Sequence, residues 1–286
     1  MLVQEGLSGV IVLYNPDESV VSNLSSYINF LSHLYIIDNS EHPNTELTDK
    51  VRNLSNKISY HGTGENTGVA KGLNWACTLA YNDGYQWILT MDQDSFINNG
   101  FFNIAKPLLS NMKNIVVAAS YNSVFFNPQK SEYTGFVEIG TVITSGNLLN
   151  LSGWQELGGF CEKLFIDEVD NEFCIRAKKK GYKIQATQDI YLNHNLGVKY
   201  IKANRLTGRD LSFTRHSPFR VYYMTRNNLF LWKQYLFTNP ALVYNRMKNL
   251  IKLIYEITFY YPDKLSYYKN ITKGTFHFFI SRYDKM

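Results

Sequence analysis

The chain has 286 residues, 45% of them hydrophobic and 19% charged, with 18 Gly and 7 Pro. That composition excludes disordered, collagen-like and low-complexity classes, and the length suits one large domain or one domain with a small appendage. Cys77, Cys161 and Cys174 follow no paired spacing, which excludes a disulfide scaffold or a cysteine-rich zinc module and fits a reducing cytosol. The opening MLVQEGLSG lacks the basic start and long apolar core of a secretory signal, and no uncharged apolar run is long enough to predict a membrane span.

The formal net charge of +5 sits entirely in the last stretch. Residues 241–286 hold eight Lys/Arg against three acids, together with eleven Phe/Tyr, whereas the first 240 residues are neutral. A neutral body with a basic, aromatic tail is the first sign of organisation.

In chain order, residues 8–14 (SGVIVLY) read as a buried strand ending at the turn Asn15-Pro16-Asp17. Val20, Val21, Leu24, Tyr27, Ile28 and Leu31 then recur at helical spacing. A second strand at 34–37 ends at Asp38-Asn39-Ser40, and a third, weaker one near 57–60 runs into the Gly-containing stretch 61–68. A helix is predicted over 69–82, and a fourth strand over 87–91, ending at Asp92-Gln93-Asp94-Ser95. Alternating strands and helices, with polar residues at each strand's carboxyl end, predict a parallel α/β sheet that binds its ligand beyond those ends. Farther on, 115–120 reads as a strand, 121–144 as hairpin-like, 166–180 as a helix stopped by Gly181, and 182–187 and 190–193 as short strands. From Pro218 to the end the pattern is helical and aromatic.

Asp92 and Asp94 are the sharpest chemical feature. Two carboxylates one residue apart at a strand end can face one crevice, where Mg²⁺ or Mn²⁺ accepts oxygen ligands and shares them with substrate phosphates; the competing explanation is a solvated acidic turn. A second acidic cluster comprises Asp167, Glu168, Asp170 and Glu172. On a continuous helix Asp167 and Asp170 would share a face, either complementing the helix dipole or supplying a carboxylate that accepts a proton from a hydroxyl. Asn66–Asn74 starts a helix with small residues, suited either to an approaching anion or to tight helix–sheet packing. It has neither a Walker A nor a dinucleotide glycine spacing. His194 is a structural hydrogen-bonder or a metal ligand. Arg220, Arg226 and Asn227 lie on a helical stretch, where surface solvation would account for them.

The ordered set of strings Val-Leu-Tyr-Asn-Pro (12–16), Ile-Asp-Asn-Ser (37–40), Glu-Asn-Thr-Gly-Val-Ala (65–70), Leu-Thr-Met-Asp-Gln-Asp-Ser (89–95), Phe-Ile-Asp-Glu-Val-Asp-Asn-Glu-Phe-Cys-Ile-Arg (165–176) and Asn-His-Asn-Leu-Gly (193–197) resembles the family 2 inverting glycosyltransferases of GT-A fold. Within that family it is most similar to bacterial rhamnosyltransferases that use dTDP-L-rhamnose. The resemblance spans residues 8 to about 235, and Asp-Gln-Asp-Ser and Val-Asp-x-Glu-Phe-Cys-x-Arg are its most specific parts.

The resemblance implies an α/β, mostly parallel GT-A domain over 1–216, with a donor half (about 1–112) and an acceptor and catalytic half (about 113–216). A helical, basic and aromatic region over 217–286 follows. It implies that Tyr14 and Asn15 lie by the nucleotide, that Asp38 hydrogen-bonds the pyrimidine with Asn39 beside it, that Asn66 and Gly68 line the nucleotide pocket, and that Asn74 supports it. Gln93, Ser145, Gly146 and Arg226 complete the implied substrate-binding set. Asp92 and Asp94 would bind a divalent metal, Mg²⁺ or Mn²⁺, with Asp94 the more direct ligand and His194 completing the shell. The catalytic base would be Asp170, six before Arg176; the family's usual Glu-Asp pair is here Val169-Asp170, which keeps Asp167 as the alternative.

The implied reaction passes a deoxysugar, L-rhamnose from dTDP-L-rhamnose, to a hydroxyl of a cell-surface glycan precursor (O-antigen, capsule or cell wall), lipid-linked or free. The first alternative is a glycosyltransferase of the same fold using another nucleotide-sugar, and two other classes compete. A metal-dependent nucleotidyl- or phosphoryl-transferase could use the same Asp-x-Asp, but a basic phosphate-activating loop is missing. An inactive nucleotide-sugar-binding protein would lack the metal pair or the base. The tail's basic residues are scattered among apolar ones and match no nucleic-acid reader motif, so nucleic acid is not expected as a partner. Residues 240–286 combine an apolar stripe (Leu250, Ile251, Leu253, Ile254, Ile257, Tyr261) with Arg246, Lys248 and Lys252. They are expected either to dock a cytoplasmic enzyme on the inner face of the plasma membrane or to pack against the catalytic domain or a second subunit as a homodimer.

Overall fold

Four apolar runs form the first half of the central sheet. β1 (Ser8–Leu13), β2 (His33–Asp38), β3 (Ile58–Gly62) and β4 (Trp87–Asp92) pair in parallel in the order β3-β2-β1-β4. Val10, Ile11, Leu34, Ile36, Ile37, Ile88 and Leu89 are fully buried, as expected of strands covered on both faces. This computed structural model describes residues 6–97, 100–121, 135–194, 199–203, 208, 210–283 and 285–286.

The strands are joined by α1 (Ser19–Ser25), α2 (Thr45–Arg52) and α3 (Val69–Asn82). The helical period read over 20–31 resolves into α1 and a short 3₁₀ turn, Ile28–Phe30. The first cap of α2 is the Asn44 side chain, which accepts from the Leu47 backbone N–H. The small residues of α3 serve packing: a Cβ on Gly72 would lie 3.0 Å from Val12, so the helix lies directly on the sheet.

After β4 the chain adds β5 (Ser95–Phe96), α4 (Gly100–Ala105), β6 (Asn114–Tyr121), β7 (Phe136–Glu138), β8 (Asn147–Asn150), α5 (Leu151–Glu156), α6 (Val169–Lys179) and β9 (Lys183–His194). β8 lies antiparallel between β4 and β6, β9 is parallel to β6, and β5 and β7 are antiparallel to β9. The two short strands expected at 182–187 and 190–193 are one strand. Most of the hairpin-like stretch at 121–144 lies outside the described residues.

The helix expected over 166–180 begins only at Val169. Phe165, Asp167 and Glu168 have positive φ (61°, 62° and 66°), a conformation no helix continues through. Asp167 therefore does not share a helix face with Asp170, and Glu168 does not share one with Glu172.

The described residues divide into two units. One takes in Met1–Glu162, Val169–Asn195 and Lys285; the other takes in Lys163–Glu168, Leu196–Asp284 and Met286. The second contains the ladder β10 (Lys199–Ala203) and β11 (Asp210–Thr214), then α7 (Pro218–Tyr235), α8 (Pro240–Tyr260) and α9 (Lys264–Phe279). Proline opens α7 and α8, where its missing N–H costs nothing, and Ser217 and Asn239 cap them. Phe213, Val221, Leu253, Ile257, Tyr261 and Tyr267 form the core of this unit. Leu253, Ile257 and Tyr261, three of the six residues of the predicted surface stripe, are therefore interior. The exposed apolar face of α8 is carried by Tyr244, Met247 and, from that stripe, Ile251. Among the described residues no helix is long and apolar enough to cross a membrane.

Candidate active site

The register of the parallel strands brings the predicted residues to one level. Leu13 pairs with Asp38, Val12 with Asp92 and Asp38 with Gly62, so β1, β2, β3 and β4 end side by side. Tyr14 and Asn15, one and two residues beyond β1, are exposed, and Asn15 has a φ of 45° that turns the chain away from the sheet. Asn15 N–H donates to Ser40 Oγ at 2.8 Å, and Ser40 N–H donates to Asp38 Oδ1 at 2.8 Å. The Tyr60 hydroxyl donates to Asp38 Oδ2. Burial, then this bond to Asp38, pushes the Tyr60 phenol well above its usual range. Asp38 is only 1% exposed, yet it lines a pocket with Leu13, Pro16, Asn44 and Tyr60, where a carboxylate so fixed can still accept a hydrogen bond.

Asn39 is committed to the protein. Its Nδ2 donates to the Gly68 carbonyl at 3.0 Å and its Oδ1 accepts from Thr67 Oγ1 at 3.0 Å. Asn66 Oδ1 accepts from Gly68 N–H at 3.0 Å, and Gly68, at φ 87°, holds a conformation that glycine alone adopts without strain. These bonds fix the loop that starts α3. Asn74 is a staple: Nδ2 donates to the Phe160 carbonyl and to Glu162, and Oδ1 accepts from Trp154 Nε1 and Phe160 N–H. Its amide has no atom left over to read a substrate.

The acidic turn after β4 is equally ordered. Gln93 Oε1 accepts from Tyr14 N–H at 2.8 Å, Gln93 Nε2 donates to Tyr14 O at 3.3 Å, and the Gln93 carbonyl accepts from Asn23 Nδ2. Gln93 thus ties β4 to β1 and leaves Asp92 and Asp94 on either side of it. Asp92 N–H donates to Ser145 Oγ at 3.0 Å, and Gly146 N–H donates to Thr90 O at 2.9 Å. Ser145 is 1% exposed, so its hydroxyl supports the turn. Asp92 is half-buried and Asp94 exposed. The buried Tyr27 phenol lies close enough to Asp92 for that charge, after burial itself, to push its pKa up. β5 places Ser95 opposite His194 in the backbone ladder, so the register brings His194 beside the residue that follows Asp94.

Among the described residues no three His, Cys, Asp or Glu side chains form a metal cage of their own. The donor set that is present, two hard carboxylates at an open strand end, fits a divalent ion whose remaining ligands come from a diphosphate.

Asp170 is the second residue of α6 and is half-buried; its Oδ1 accepts from Asn171 N–H at 2.7 Å. It lines a cavity with Thr90, Val142, Asn147, Phe160 and Cys174, and Thr90 stands two residues before Asp92. Burial pushes the Cys174 thiol up to about 12, which excludes it as a thiolate nucleophile at neutral pH.

Two predicted site residues behave differently. Asp167 is ion-paired to Arg220, with Nη2 2.7 Å and Nε 3.1 Å from Oδ1. Arg226 is 0% exposed and cannot touch a substrate: Nη2 donates to the Lys163 carbonyl at 2.9 Å, and the guanidinium lies over the rings of Tyr222, Tyr223 and Tyr283. Ser40, Tyr60, Thr67 and Asn23 are the positioning residues that the sequence reading missed. Ser40 and Thr67 had a signal, as members of Asp38-Asn39-Ser40 and of the string 65–70.

A parallel sheet whose strand ends present a buried carboxylate and an acidic pair, with a half-buried carboxylate of α6 lining a cavity with Thr90 of β4, defines the class: an α/β protein with its ligand crevice beyond those ends. Residues 8–160, more than half of the chain, match Glycosyl transferase family 2, and the chain belongs to that family of glycosyltransferases. It is 28% identical over 254 residues to the dTDP-rhamnosyl transferase RfbF of Shigella flexneri, with 81% of each chain covered. Residues 1–349 of S. aureus TarS share its fold, with a TM-score of 0.57 at 15% identity over 95% of this chain and 80% of that one. GalNAc-T7, in a structure with UDP, GalNAc and Mn²⁺, gives a TM-score of 0.54 at 13% identity over 66% of this chain, which spans only 43% of that protein. The expected α/β GT-A architecture with C-terminal helices is the one the chain has.

Proposed function

We propose that this glycosyltransferase is an inverting, divalent-metal-dependent enzyme that moves L-rhamnose from dTDP-L-rhamnose to a hydroxyl of a cell-surface glycan precursor. The observation that carries the reading is the shared level of Tyr14, Asp38 and the Asp92–Asp94 turn at the ends of adjacent parallel strands. The choice of donor rests on the similarity to the Shigella flexneri dTDP-rhamnosyl transferase.

In this reading the pocket at Asp38 takes the pyrimidine, and the loop at Asn66 and Gly68 closes around the nucleotide. Asp94 and Asp92, with His194, hold Mg²⁺ or Mn²⁺, which when bound neutralises the diphosphate that leaves. Asp170 takes the proton from the acceptor hydroxyl as the acceptor oxygen attacks the anomeric carbon and the diphosphate departs from the opposite face. One displacement inverts the centre and requires no covalent enzyme intermediate. A lipid-linked acceptor would bring the enzyme to the inner membrane face, with residues 240–286 as the contact.

The test is a donor screen with the purified full chain and Mn²⁺ or Mg²⁺, read by mass spectrometry. Release of dTDP with a product heavier by one deoxyhexose supports the proposal. Release of pyrophosphate, or turnover confined to a different nucleotide-sugar, refutes it.

A further inference from the structure

β8 carries a polar side chain where its position in the sheet favours an apolar one. The strand lies between β4 and β6, with Asn147 opposite Thr90 on one side and Ala118 on the other, and all four of its residues are buried. Leu148 and Leu149 are what such a strand calls for. Asn150 has a reason to differ, since its Oδ1 caps α5 by accepting from Gly153 N–H. Asn147, 5% exposed, is only half accounted for. Its Nδ2 donates to the Ile143 carbonyl, which fixes the orientation of the amide, but among the described residues its Oδ1 accepts no hydrogen bond. A buried acceptor without a donor is destabilising, so its presence calls for a cause. Asn147 lines the cavity of Asp170, with Thr90, Val142, Phe160 and Phe173 among its neighbours there. Most of that lining is apolar, and the Thr90 hydroxyl is committed to the Thr144 carbonyl at 2.5 Å. Val142, Thr144 and Asp170 are half-buried, so the cavity opens beside the base candidate. Every residue of the cavity belongs to the first of the two units.

We propose that Asn147 is a specificity-determining residue whose Oδ1 accepts a hydrogen bond from a ring hydroxyl of the sugar being transferred. The inference rests on the readings of Asp170 as the base and of dTDP-L-rhamnose as the donor. In that reaction the diphosphate lies at the Asp92–Asp94 turn and the base lies across the anomeric carbon from it. The transferred sugar is the part of the substrates that spans the two. The cavity has the same span: Asp170 is in its wall, and so is Thr90, two residues before Asp92. An amide oxygen accepts and cannot donate, so it separates a hydroxyl from a bare methylene at that place. A sugar lacking the hydroxyl, or a nucleotide lacking the sugar, leaves the buried acceptor unpaired.

The test is a cycle of protein against ligand. The full-length parent and Asn147→Leu, whose side chain has nearly the shape of the amide without its acceptor, are titrated by calorimetry in Mn²⁺. The ligands are dTDP, dTDP-L-rhamnose and its 2-, 3- and 4-deoxy analogues, and thermal unfolding is measured alongside. We expect the variant to bind dTDP within about twofold of the parent and dTDP-L-rhamnose roughly tenfold more weakly. Its Tm should change little, because leucine removes one unpaired acceptor while it leaves the Ile143 carbonyl without its donor, two effects of opposite sign. One deoxy analogue should bind the parent roughly tenfold more weakly than dTDP-L-rhamnose does, and should bind parent and variant alike; it identifies the hydroxyl. Asn147→Ala carries the same cycle if leucine disturbs the strand. Equal affinity of parent and variant for dTDP-L-rhamnose overturns the inference and leaves Oδ1 to a bound water. A weakening that persists with all three deoxy analogues overturns it as well, since no hydroxyl is then involved. If neither variant folds, Asn147 is a structural residue and the inference falls. A parent that binds dTDP but not dTDP-L-rhamnose refutes the donor reading before any variant is compared, and the role of Asn147 with it.

Discussion

Replacing Asn74 with alanine separates a staple from a ligand contact. The substitution removes four hydrogen bonds and leaves three groups without partners: the indole N–H of Trp154 and the N–H and carbonyl of Phe160. Trp154 and Phe160 are each 7% exposed, so water reaches them poorly. A buried polar group stripped of its partner costs about 1–3 kcal/mol. Asn74 itself is half-buried, so water entering the vacated space repays part of that, and we expect a loss of about 2–4 kcal/mol in all. For a unit of this size that corresponds to a fall of roughly 5–15 °C in Tm. The assays are thermal unfolding and dTDP titration of the folded variant well below its Tm. We expect lowered stability with dTDP affinity within about twofold of the parent, since the lost bonds all run to the protein. An unchanged Tm with a tenfold weaker dTDP affinity would refute this reasoning and make Asn74 a ligand contact.

Asp94→Ala should leave the fold intact while abolishing turnover and the Mn²⁺ dependence of dTDP binding; normal turnover in the folded variant removes the metal assignment. His194→Ala should shift the Mn²⁺ titration of activity to higher concentration with little change in Tm, because the ladder sets His194 opposite Ser95; an unchanged titration leaves His194 a structural strand residue. The full chain should float with anionic vesicles at low salt, and the double substitution Ile251→Glu and Lys248→Glu on the exposed face of α8 should abolish this, each basic residue near such a surface contributing about 1 kcal/mol. A parent chain that stays in the soluble fraction would leave that face to a protein partner.

The donor half was legible because its signals are local. A buried apolar run followed by Asp-Asn-Ser or Asp-Gln-Asp marks a parallel strand and the polar residues at its carboxyl end, and the sheet then levels those ends by register alone. The start of α3 at Val69 and of α7 at Pro218 likewise follow from Gly68 and from Ser217-Pro218. Tyr60 had no such signal. It reaches Asp38 only because β3 pairs with β2 and sets Tyr60 opposite Ile36, two residues before the carboxylate. Pairing of that kind is a tertiary fact that no periodicity in either strand contains. Which part of the α8 stripe would be covered was not legible for a related reason. Periodicity showed that α8 has an apolar face, but Phe213 and Val221, on other elements, decided that Leu253, Ile257 and Tyr261 would be covered.

The acidic segment is where sequence logic was most misleading, and the reason is physical. Asp167, Glu168, Asp170 and Glu172 suit the first turn of a helix, and the dipole argument for placing them there is sound for Asp170 and Glu172. It fails for the first two because tertiary bonds override local preference. Asn227 takes the carbonyls of Leu164, Ile166 and Asp167, so these groups face α7, in a stretch where Phe165, Asp167 and Glu168 hold positive φ. An Asn beside a fully buried Arg, sixty residues downstream, thereby fixes the segment that precedes α6. A one-residue shift of the α6 register would rotate Asp170 by about 100°, off the cavity it shares with Thr90 and Asn147. The Arg226-Asn227 pair, whose Arg226 the resemblance set among the substrate contacts, is instead buried and holds the carbonyls of Lys163, Leu164, Ile166 and Asp167.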